Sequence, residues 1–421
     1  MVDMLQWLII LAVYLPFQLA LNPGEGVDLA SIRVFILLLF LTWLAQGLKN
    51  KKLFLPPKIQ TLLILSFLFL NSLSLLVARN TDWSIRKLLF LLSIFPIYFI
   101  VGALVDSWKK MEKLIQALIF SGVLVALLGI FQFSFQFILG WEKIYKFWAQ
   151  YMVVPFLGRT FGKAVLENPS WLVNISGKTV LRATAVFPDP HMLAFYLGLL
   201  IPLALGVFMA RKKNWLLVGF FLMLIADLLT FSRGGYLGLL ASFGLALIIS
   251  WNKIGKKYKS AVIASALIAF LILAIPNPVA NRFFSSFNLK EGSNEGRLEM
   301  WKKAQRIVLN KPLLGVGLGN YPLEIKPSAD YREPIYAHNT YLDIATESGI
   351  TNALIWVALL VFSLVNFLRR KNPILNMGAV SLVIFSVHSF FETGIFSPTV
   401  LALLLILISL SAIELKNEEL A

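Results

Sequence analysis

Long apolar runs separated by short polar stretches recur along the whole chain. Each run has about 17 to 25 residues, the length that an α-helix needs to cross a hydrocarbon core of about 30 Å. The pattern therefore predicts about 12 transmembrane helices, at residues 4–20, 29–48, 59–78, 85–105, 113–139, 191–210, 214–231, 235–251, 260–276, 348–368, 374–392 and 397–414. No internal repeat or low-complexity segment divides the chain, so residues 1–421 are predicted to form one all-α, polytopic integral membrane domain.

Composition agrees with a membrane protein and narrows the possible chemistry. The 421 residues are 58% hydrophobic and 14% charged, which is too apolar for an ordinary soluble domain. The chain has no cysteine, which excludes disulfides, thiol nucleophiles and cysteine-ligated metal sites.

Basic residues occupy every second loop between the predicted spans. Lysine and arginine accumulate on the cytoplasmic side of membrane spans, and the clusters here lie at residues 49–58, 109–113, 211–213, 253–259 and 369–371. Both termini are therefore predicted to be cytoplasmic, with residues 140–190 (a first outer loop) and 277–347 (a large outer loop containing short helices) on the opposite side. Much of the net charge of +16 lies in this inner rim, so the predicted partners are membrane lipids and no nucleic acid.

Arginine follows the opposite distribution. Nine of the thirteen arginines map to the outer side: Arg79, Arg86, Arg159, Arg182, Arg233, Arg282, Arg297, Arg306 and Arg332. The planar guanidinium group suits bidentate contact with phosphate or carboxylate, so the distribution indicates an anionic substrate. Lipid headgroups and local acids remain the alternative partners for any single arginine. Arg233 stands apart because it lies in a short connector between two spans, where a charge is costly; Asp227 is its candidate structural partner.

The outer segment SNEGRLEMWKKAQRIVLNKP carries the signals of a helix. Ser293-Asn294 is a start signal and Pro312 is a stop signal. Arg297 and Trp301 are four residues apart and would share one face. The alternating glycines that follow, at 315, 317 and 319, indicate a turn first and a phosphate contact second, because the dinucleotide-binding fingerprint is not met.

The three histidines, His191, His338 and His388, map near the outer ends of spans or in outer loops. They form no HxH or HxxxH pair, so a metal site is not indicated. His388 is expected to make a polar contact at a helix end, with Glu392 as a candidate partner. His338 precedes an amphipathic helix, and an imidazole with a pKa of about 6.5 can accept a proton from a hydroxyl group near neutral pH. The residues alone leave a structural role and a general-base role for His338 open.

Four stretches in this order resemble the O-antigen ligase and O-antigen polymerase superfamily of bacterial envelope glycosyltransferases, and most of all an O-antigen ligase. They are LRATAVFPDPHMLAFYLGLLIPLAL, TFSRGGYLGLL, GRLEMWKKAQRIVLNKPLLGVGLGNY and AHNTYLDIATESGI. The likeness extends over the whole chain, including the number of spans and the large late outer loop. One departure is Asp189-Pro190-His191, where relatives often have Asn-Pro-Asn.

The resemblance implies a metal-independent, inverting glycosyltransferase of the bacterial inner membrane, without a cofactor. The implied donor is a glycan on undecaprenyl diphosphate, and the implied acceptor is a lipid A core or another envelope glycan on the periplasmic side. Under this resemblance, His338 is the implied catalytic base and Arg233 and Arg297 contact the diphosphate. The implied substrate-binding residues are Arg182, Asn339, Trp301 and Arg306.

Two other functions stay open at this stage. A polymerase that joins repeat units on the same lipid carrier needs the same base and the same diphosphate contacts. A lipid or solute transporter is the alternative from a different class, although transporters usually show paired halves and binding groups near the membrane midplane. Here the halves look unlike each other and the polar residues gather on the outer side.

Overall fold

The apolar spans predicted in the described part of the chain form helices. The computed structural model of the protein describes residues 4–24, 27–51, 53, 56, 58–167, 170–175, 177–250, 275, 277–288, 292–331, 333–370 and 372–413. Eleven of the twelve predicted spans coincide with a helix or with two consecutive helices. The ninth predicted span, 260–276, lies outside the described residues except for residue 275.

The first half of the chain is a series of apolar helices that leads into an outer segment of short elements. The long helices are α1 (Met4–Tyr14), α2 (Ser31–Lys49), α3 (Lys58–Leu73), α4 (Thr81–Ile94), α5 (Pro96–Leu104) and α6 (Trp108–Leu139). Pro96 separates α4 from α5 because proline lacks the backbone N–H that would continue the helix. The short helices that follow are α7 (Trp141–Phe147), α8 (Val154–Leu157) and α9 (Arg159–Glu167), with a π-helical turn at Trp148–Met152.

The second half continues the bundle and contains a further outer segment. The described helices are α10 (Pro190–Arg211), α11 (Asn214–Leu228), α12 (Arg233–Ser250), α13 (Pro278–Phe284), α14 (Gly292–Asn310), α15 (Tyr321–Ile325), α16 (Thr340–Ser348), α17 (Ile350–Arg369), α18 (Pro373–His388) and α19 (Pro398–Ala412). The helix expected from the Ser293-Asn294 start signal is therefore present as α14. The large outer segment contains short helices as predicted, and its placement outside the membrane stays a prediction.

Two β-hairpins correct the expectation of an all-α chain. Strands β1 (Ala20–Gly24) and β2 (Val27–Ala30) pair antiparallel, as do β3 (Leu172–Ile175) and β4 (Lys178–Leu181). The second hairpin turns at Gly177, whose φ of +84° is available to glycine without a steric penalty, and whose N–H donates to Asn174 Oδ1 at 3.0 Å. Both hairpins are short local pairings in connecting segments, so the architecture remains mostly helical.

Six helical stretches in the described part of the chain are long and apolar enough to cross a membrane. They are Ser31–Lys49, Ile59–Val77, Thr81–Leu104, Trp108–Leu139, Pro190–Arg211 and Ile350–Arg369. Five shorter apolar helices accompany them: Met4–Phe17, Asn214–Leu228, Arg233–Ile248, Pro373–His388 and Pro398–Ala412. The structure thus supports a multi-helix membrane protein, and the count of twelve spans stays a prediction.

Helix α19 lies at the centre of the bundle. Its residues from Thr399 to Ala412 are all buried, which matches a helix that is apolar on every side. It packs against α4, α5, α10 and α17. This last described helix is therefore an internal support for the helices around it.

Helices α10 and α12 both pack against α18. Glycines make the close approach of α12 and α18 possible: a β-carbon on Gly234 would lie 2.5 Å from His388 Cδ2, and one on Gly238 would lie 2.8 Å from the Ile384 carbonyl oxygen. Small residues at helix interfaces allow this kind of contact in membranes, where van der Waals packing holds helices together. The N-termini of α10 and α12 thereby meet the C-terminus of α18.

Candidate functional site

His338 is held at the start of α16 by the residue that follows it. Asn339 caps the helix, and its Oδ1 accepts hydrogen bonds from Tyr341 N at 3.0 Å and Leu342 N at 3.1 Å. His338 itself has a φ of +51°, a left-handed conformation that costs energy in a residue with a β-carbon. Such strain is concentrated at functional sites in proteins. The imidazole is 35% exposed and thus accessible from outside the fold.

Glu392 is the partner of His338. His338 Nδ1 lies 2.9 Å from Glu392 Oε1, and the backbone N–H of Thr393 donates to the same oxygen at 3.2 Å. An ionised carboxylate only accepts hydrogen bonds, so Nδ1 carries the proton. A neutral His338 then has Nε2 as its acceptor, which is the arrangement that a general base requires. The sequence indicated Glu392 only as a possible partner of His388.

The charges around this pair set its protonation. Burial alone raises the pKa of Glu392, but His338, His191 and Arg297 outweigh it and hold that pKa well below its usual range. Glu392 in turn raises the pKa of His338, and it outweighs burial and Arg297, which both lower that pKa. The ionised carboxylate therefore favours a proton on the imidazole, as is needed to stabilise His338 after it has accepted one.

Arg297 reaches the same carboxylate from α14. Its Nη2 lies 3.6 Å from Glu392 Oε2. Trp301, one turn later, packs its ring against Phe391 with the ring centroids 6.3 Å apart. The predicted shared face of Arg297 and Trp301 is thus confirmed, and it docks against the turn that follows α18. The indole Nε1 of Trp301 is buried without a hydrogen-bond partner among the described residues.

Arg182 lies behind this group and is 5% exposed. Its Nε donates to the Thr230 carbonyl oxygen at 2.7 Å and its Nη1 to the Ser170 carbonyl oxygen at 3.2 Å. Its Nη2 is buried without a hydrogen-bond partner in the part of the chain that the structure describes. Burial, and then the nearby Arg282, lower the pKa of Arg182. A buried cation with these neighbours would be stabilised by a bound anion.

Arg233, at the start of α12, and Arg282, in α13, connect these two helices. Arg233 is 4% exposed, and its Nη1 donates to the Ser285 carbonyl oxygen at 3.3 Å. Arg282 Nε donates to the Phe231 carbonyl oxygen at 3.4 Å. The expected partner of Arg233, Asp227, makes no hydrogen bond to it: both carboxylate oxygens of Asp227 are buried without a hydrogen-bond partner among the described residues. Asp227 lies near the end of α11, six residues before Arg233.

The other two histidines are connected through Ser232. His191 Nδ1 lies 2.9 Å from Ser232 Oγ, and His388 Nε2 lies 3.1 Å from the same oxygen. His191 Nε2 is 3.9 Å from Glu392 Oε2. His388 also stacks on Phe195, with ring centroids 3.7 Å apart. His388 is therefore a helix-end polar contact as predicted, but its side chain meets Ser232 instead of Glu392.

The predicted site residues fall into three groups. His338, Arg297 and Trp301 converge on the turn that carries Glu392, and Arg182 is electrostatically coupled to Arg297. Arg233 and Asn339 are buried nearby in contacts with the chain itself. Arg306 is exposed. It lies nine residues, or two and a half helical turns, after Arg297, so it points to the opposite side of α14. The proposed contacts of all seven residues with substrate stay predictions.

Sequence reasoning missed Glu392, His191, Ser232 and Arg282 as members of this site. The only local signal for Glu392 was a carboxylate at the outer end of an apolar run, in HSFFETG. A charge at a membrane boundary is costly and therefore a candidate for function. Among the described residues, no group of three or more histidine, cysteine, aspartate or glutamate side chains is arranged to hold a metal ion.

Residues 218–357 match the family model described as O-antigen ligase. This segment is similar to the O-antigen ligase family. The match supports the O-antigen ligase superfamily and a ligase-like or polymerase-like role in envelope glycan biosynthesis. No curated protein matches the chain.

The segment that matches the family model contains only part of the site. Arg233, Arg297 and His338 lie inside the matched range, whereas Arg182 and Glu392 lie outside it. The carboxylate that orients the imidazole thus comes from the turn after α18, and the buried arginine comes from an earlier segment. The fold assembles the site from three separate parts of the chain.

Proposed function

We propose that the protein transfers a glycan from undecaprenyl diphosphate to a lipid A core or another envelope acceptor, outside the bacterial inner membrane. The observation that carries this proposal is the hydrogen bond between His338 Nδ1 and Glu392, beside a group of arginines. A carboxylate that fixes the tautomer of a histidine and stabilises its protonated form is the arrangement of a general base. The arginines suit a diphosphate because guanidinium groups bind phosphate oxygens in pairs.

In the proposed reaction, a hydroxyl oxygen of the acceptor sugar attacks the anomeric carbon of the donor glycan. The bond between that carbon and the diphosphate oxygen breaks as the new glycosidic bond forms, and the configuration at the carbon inverts. His338 Nε2 takes the hydroxyl proton, and Glu392 stabilises the imidazolium ion. Arg297, Arg233 and Arg182 stabilise the negative charge that develops on the leaving diphosphate.

Two buried donors support a ligand rich in oxygen. Arg182 Nη2 and Trp301 Nε1 have no acceptor among the described residues. A buried donor without an acceptor costs free energy. Phosphate or sugar oxygens of a bound substrate would remove that cost. In this proposal no step requires a metal ion or a nucleotide cofactor, and EDTA leaves the reaction unaffected.

The proposed topology follows from the basic loops and from the convergence of helix ends. The N-termini of α10, α12 and α16 and the C-terminus of α18 meet at the site, and the lysine-rich loops are assigned to the other side of the membrane. We therefore place the site on the periplasmic side and both termini in the cytoplasm. In this arrangement a polyprenyl chain stays in the bilayer while its diphosphate reaches the arginines.

Arg297→Ala is expected to lower kcat/KM for the donor by about 10- to 100-fold, because a charge-assisted hydrogen bond contributes about 1.5–3 kcal/mol. Arg297 also lowers the pKa of His338. Its removal is thus expected to move the acidic limb of the pH–rate profile to higher pH. Initial rates against donor concentration across a pH series measure both effects.

The matched control is Arg159→Ala, because Arg159 is an exposed arginine in an outer segment and has no role in the proposed site. Its rate and pH profile should stay close to those of the wild type. Arg297→Lys keeps the charge but removes the forked donor, so its transfer rate should fall between those of Arg297→Ala and Arg159→Ala. Equal rates for Arg297→Ala and Arg159→Ala would remove Arg297 from the diphosphate contacts.

The function itself is tested by transfer in vitro. Purified protein in nanodiscs receives a lipid-diphosphate glycan, a lipid A core acceptor and EDTA, and products are separated by size. One glycan per acceptor, lost in His338→Ala and in Arg233→Ala, is the expected result. A ladder that grows on the carrier without acceptor indicates the polymerase, which uses the same groups. Donor binding without transfer in any condition indicates a transporter.

A further inference from the structure

Asp343 connects the two segments that carry His338 and Glu392. Its Oδ1 accepts a hydrogen bond from the backbone N–H of Ala337 at 2.8 Å. Its Oδ2 accepts a hydrogen bond from the hydroxyl group of Thr393. Ala337 is the residue before His338, and Thr393 is the residue after Glu392. One buried carboxylate, 1% exposed, thus bonds to the immediate neighbours of both members of the pair.

Other contacts join α16 to the same turn. The Thr340 N–H donates to the Ser389 carbonyl oxygen at 2.8 Å, and the Thr340 hydroxyl donates to the Glu392 carbonyl oxygen at 3.0 Å. These bonds hold the start of α16 against the turn. These bonds involve Thr340, which follows His338 in the sequence. Asp343 supports the other side through Ala337, which precedes His338.

His338 and Glu392 need such support because neither lies within a helix. They are 54 residues apart in sequence, and His338 has a strained backbone with a φ of +51°. Errors of about 1 Å in the placement of reacting groups are enough to cost a large part of a rate enhancement. A group that fixes both backbones relative to each other therefore controls how the imidazole is presented.

We propose that Asp343 is a positioning residue that sets the distance between His338 and Glu392 through the Thr393 hydroxyl. Its kinetic consequence rests on the proposed transfer function, whereas its effect on the pair does not. Loss of the link would let Glu392 withdraw, and the ionised carboxylate would then raise the proton affinity of His338 less. The imidazole would become a weaker base, and its orientation would no longer be fixed.

The charged groups around His338 limit which substitution can test this proposal. Glu392 lies on the turn after α18, Arg297 on α14 and Asp343 on α16, and all three act on the pKa of His338. His191 on α10 faces the other oxygen of Glu392, and Tyr336 packs beside the imidazole on its own loop. Removing the charge of Asp343 would therefore shift His338 even without any movement. A change that removes no ionisable side chain is needed.

Thr393→Val meets this condition. It has almost the same shape and keeps the backbone N–H that bonds to Glu392, but it removes the hydroxyl group that bonds to Asp343. We expect kcat to fall by about 10- to 100-fold with the KM for the donor unchanged, and the acidic limb of the pH–rate profile to move to lower pH. Thr393→Ser keeps the hydroxyl group and should restore both the rate and the profile.

Glu347→Gln is the matched control on the same helix. Glu347 lies one turn after Asp343, is 4% exposed, and pairs with Lys87 Nζ at 2.8 and 2.7 Å without any bond to the segments that flank His338. It anchors α16 to α4, so its loss weakens the packing of that helix without breaking the link through Thr393. We expect a lower thermal unfolding temperature with an unshifted pH profile.

A second readout does not depend on transfer. The chain has three histidines, so NMR of protein with labelled histidine can follow the titration of His338, assigned with His338→Gln. A lower pKa of His338 in Thr393→Val but not in Glu347→Gln supports the proposal, even if no glycan transfer is found and the proposed function fails. An unchanged His338 titration in Thr393→Val, or an equal shift in Glu347→Gln, overturns the positioning role whether or not the wild type transfers glycan.

Discussion

Replacing His338 with alanine is expected to lower the rate of glycan transfer by about 10²- to 10⁴-fold, the usual contribution of a general base. Donor binding should stay close to the wild-type value, because the diphosphate is assigned to the arginines. Single-turnover transfer and a separate measurement of donor binding test the two parts. Loss of transfer with retained binding is the result that identifies His338 as the base.

Backbone strain requires a second variant at this position. His338 has a φ of +51°, which asparagine adopts more readily than alanine. His338→Asn keeps the local conformation and a polar side chain but has no basic nitrogen, so it should be as inactive as His338→Ala with a higher unfolding temperature. Lys326→Ala, on an exposed position of the same outer segment, is the control. Near-wild-type transfer in His338→Asn would contradict the base assignment.

Glu392→Gln is expected to lower the transfer rate on the order of 10²- to 10³-fold, since a neutral amide neither fixes the tautomer of His338 nor stabilises its protonated form. The pH profile should change as well. His338 acts as a base only when it is neutral, so the rate falls as the pH drops below its pKa. Glu392 raises that pKa, so the variant's residual activity should persist to lower pH than the wild-type activity.

Measuring kcat from about pH 5 to 9 tests this prediction, the range that brackets an ordinary imidazole. Glu333→Gln is the matched control, because Glu333 pairs with Lys326 at a partly exposed position of the outer segment. Its profile should follow that of the wild type. A Glu392→Gln profile with an unshifted acidic limb would mean that another group governs the protonation of His338.

Ionised Glu392 also explains how Arg297 and two imidazole groups can lie close together before substrate binds. Arg297 Nη2 and His191 Nε2 approach its Oε2 from two sides, and His338 occupies its Oε1. A buried charge is tolerated when it is paired and hydrogen-bonded. Glu392 therefore compensates part of the positive charge that the proposed diphosphate would meet.

Much of the fold could be predicted from local pattern. The apolar runs have the length of helices and end at polar clusters, and signals such as Ser293-Asn294 and Pro312 bracket α14 closely. The hairpin at β3 and β4 was missed because four-residue strands carry too little alternation to stand out. The region around the ninth span lies outside the described residues, so that prediction stays untested.

The candidate site was predictable where a motif is local. AHNTYLDIATESGI places His338 beside a cap residue, and Asn339 does cap α16. Asp227 looked like a partner of Arg233 because the two are close in sequence, yet Arg233 instead reaches a carbonyl group 52 residues away. Sequence proximity within a helix end says little about where a long side chain will bond.

The sequence by itself determined the helices and predicted an outer concentration of arginine, since these depend on the length, spacing and chemistry of neighbouring residues. The family resemblance added His338 as the candidate base. Only the tertiary structure decided that Glu392 pairs with His338, that Arg297 and His191 share its other oxygen, and that Asp343 bonds to the residues flanking the pair. Most of these contacts join residues that are far apart in the sequence. They follow from how α10, α12, α14, α16 and α18 pack, and packing is a non-local property of the whole chain.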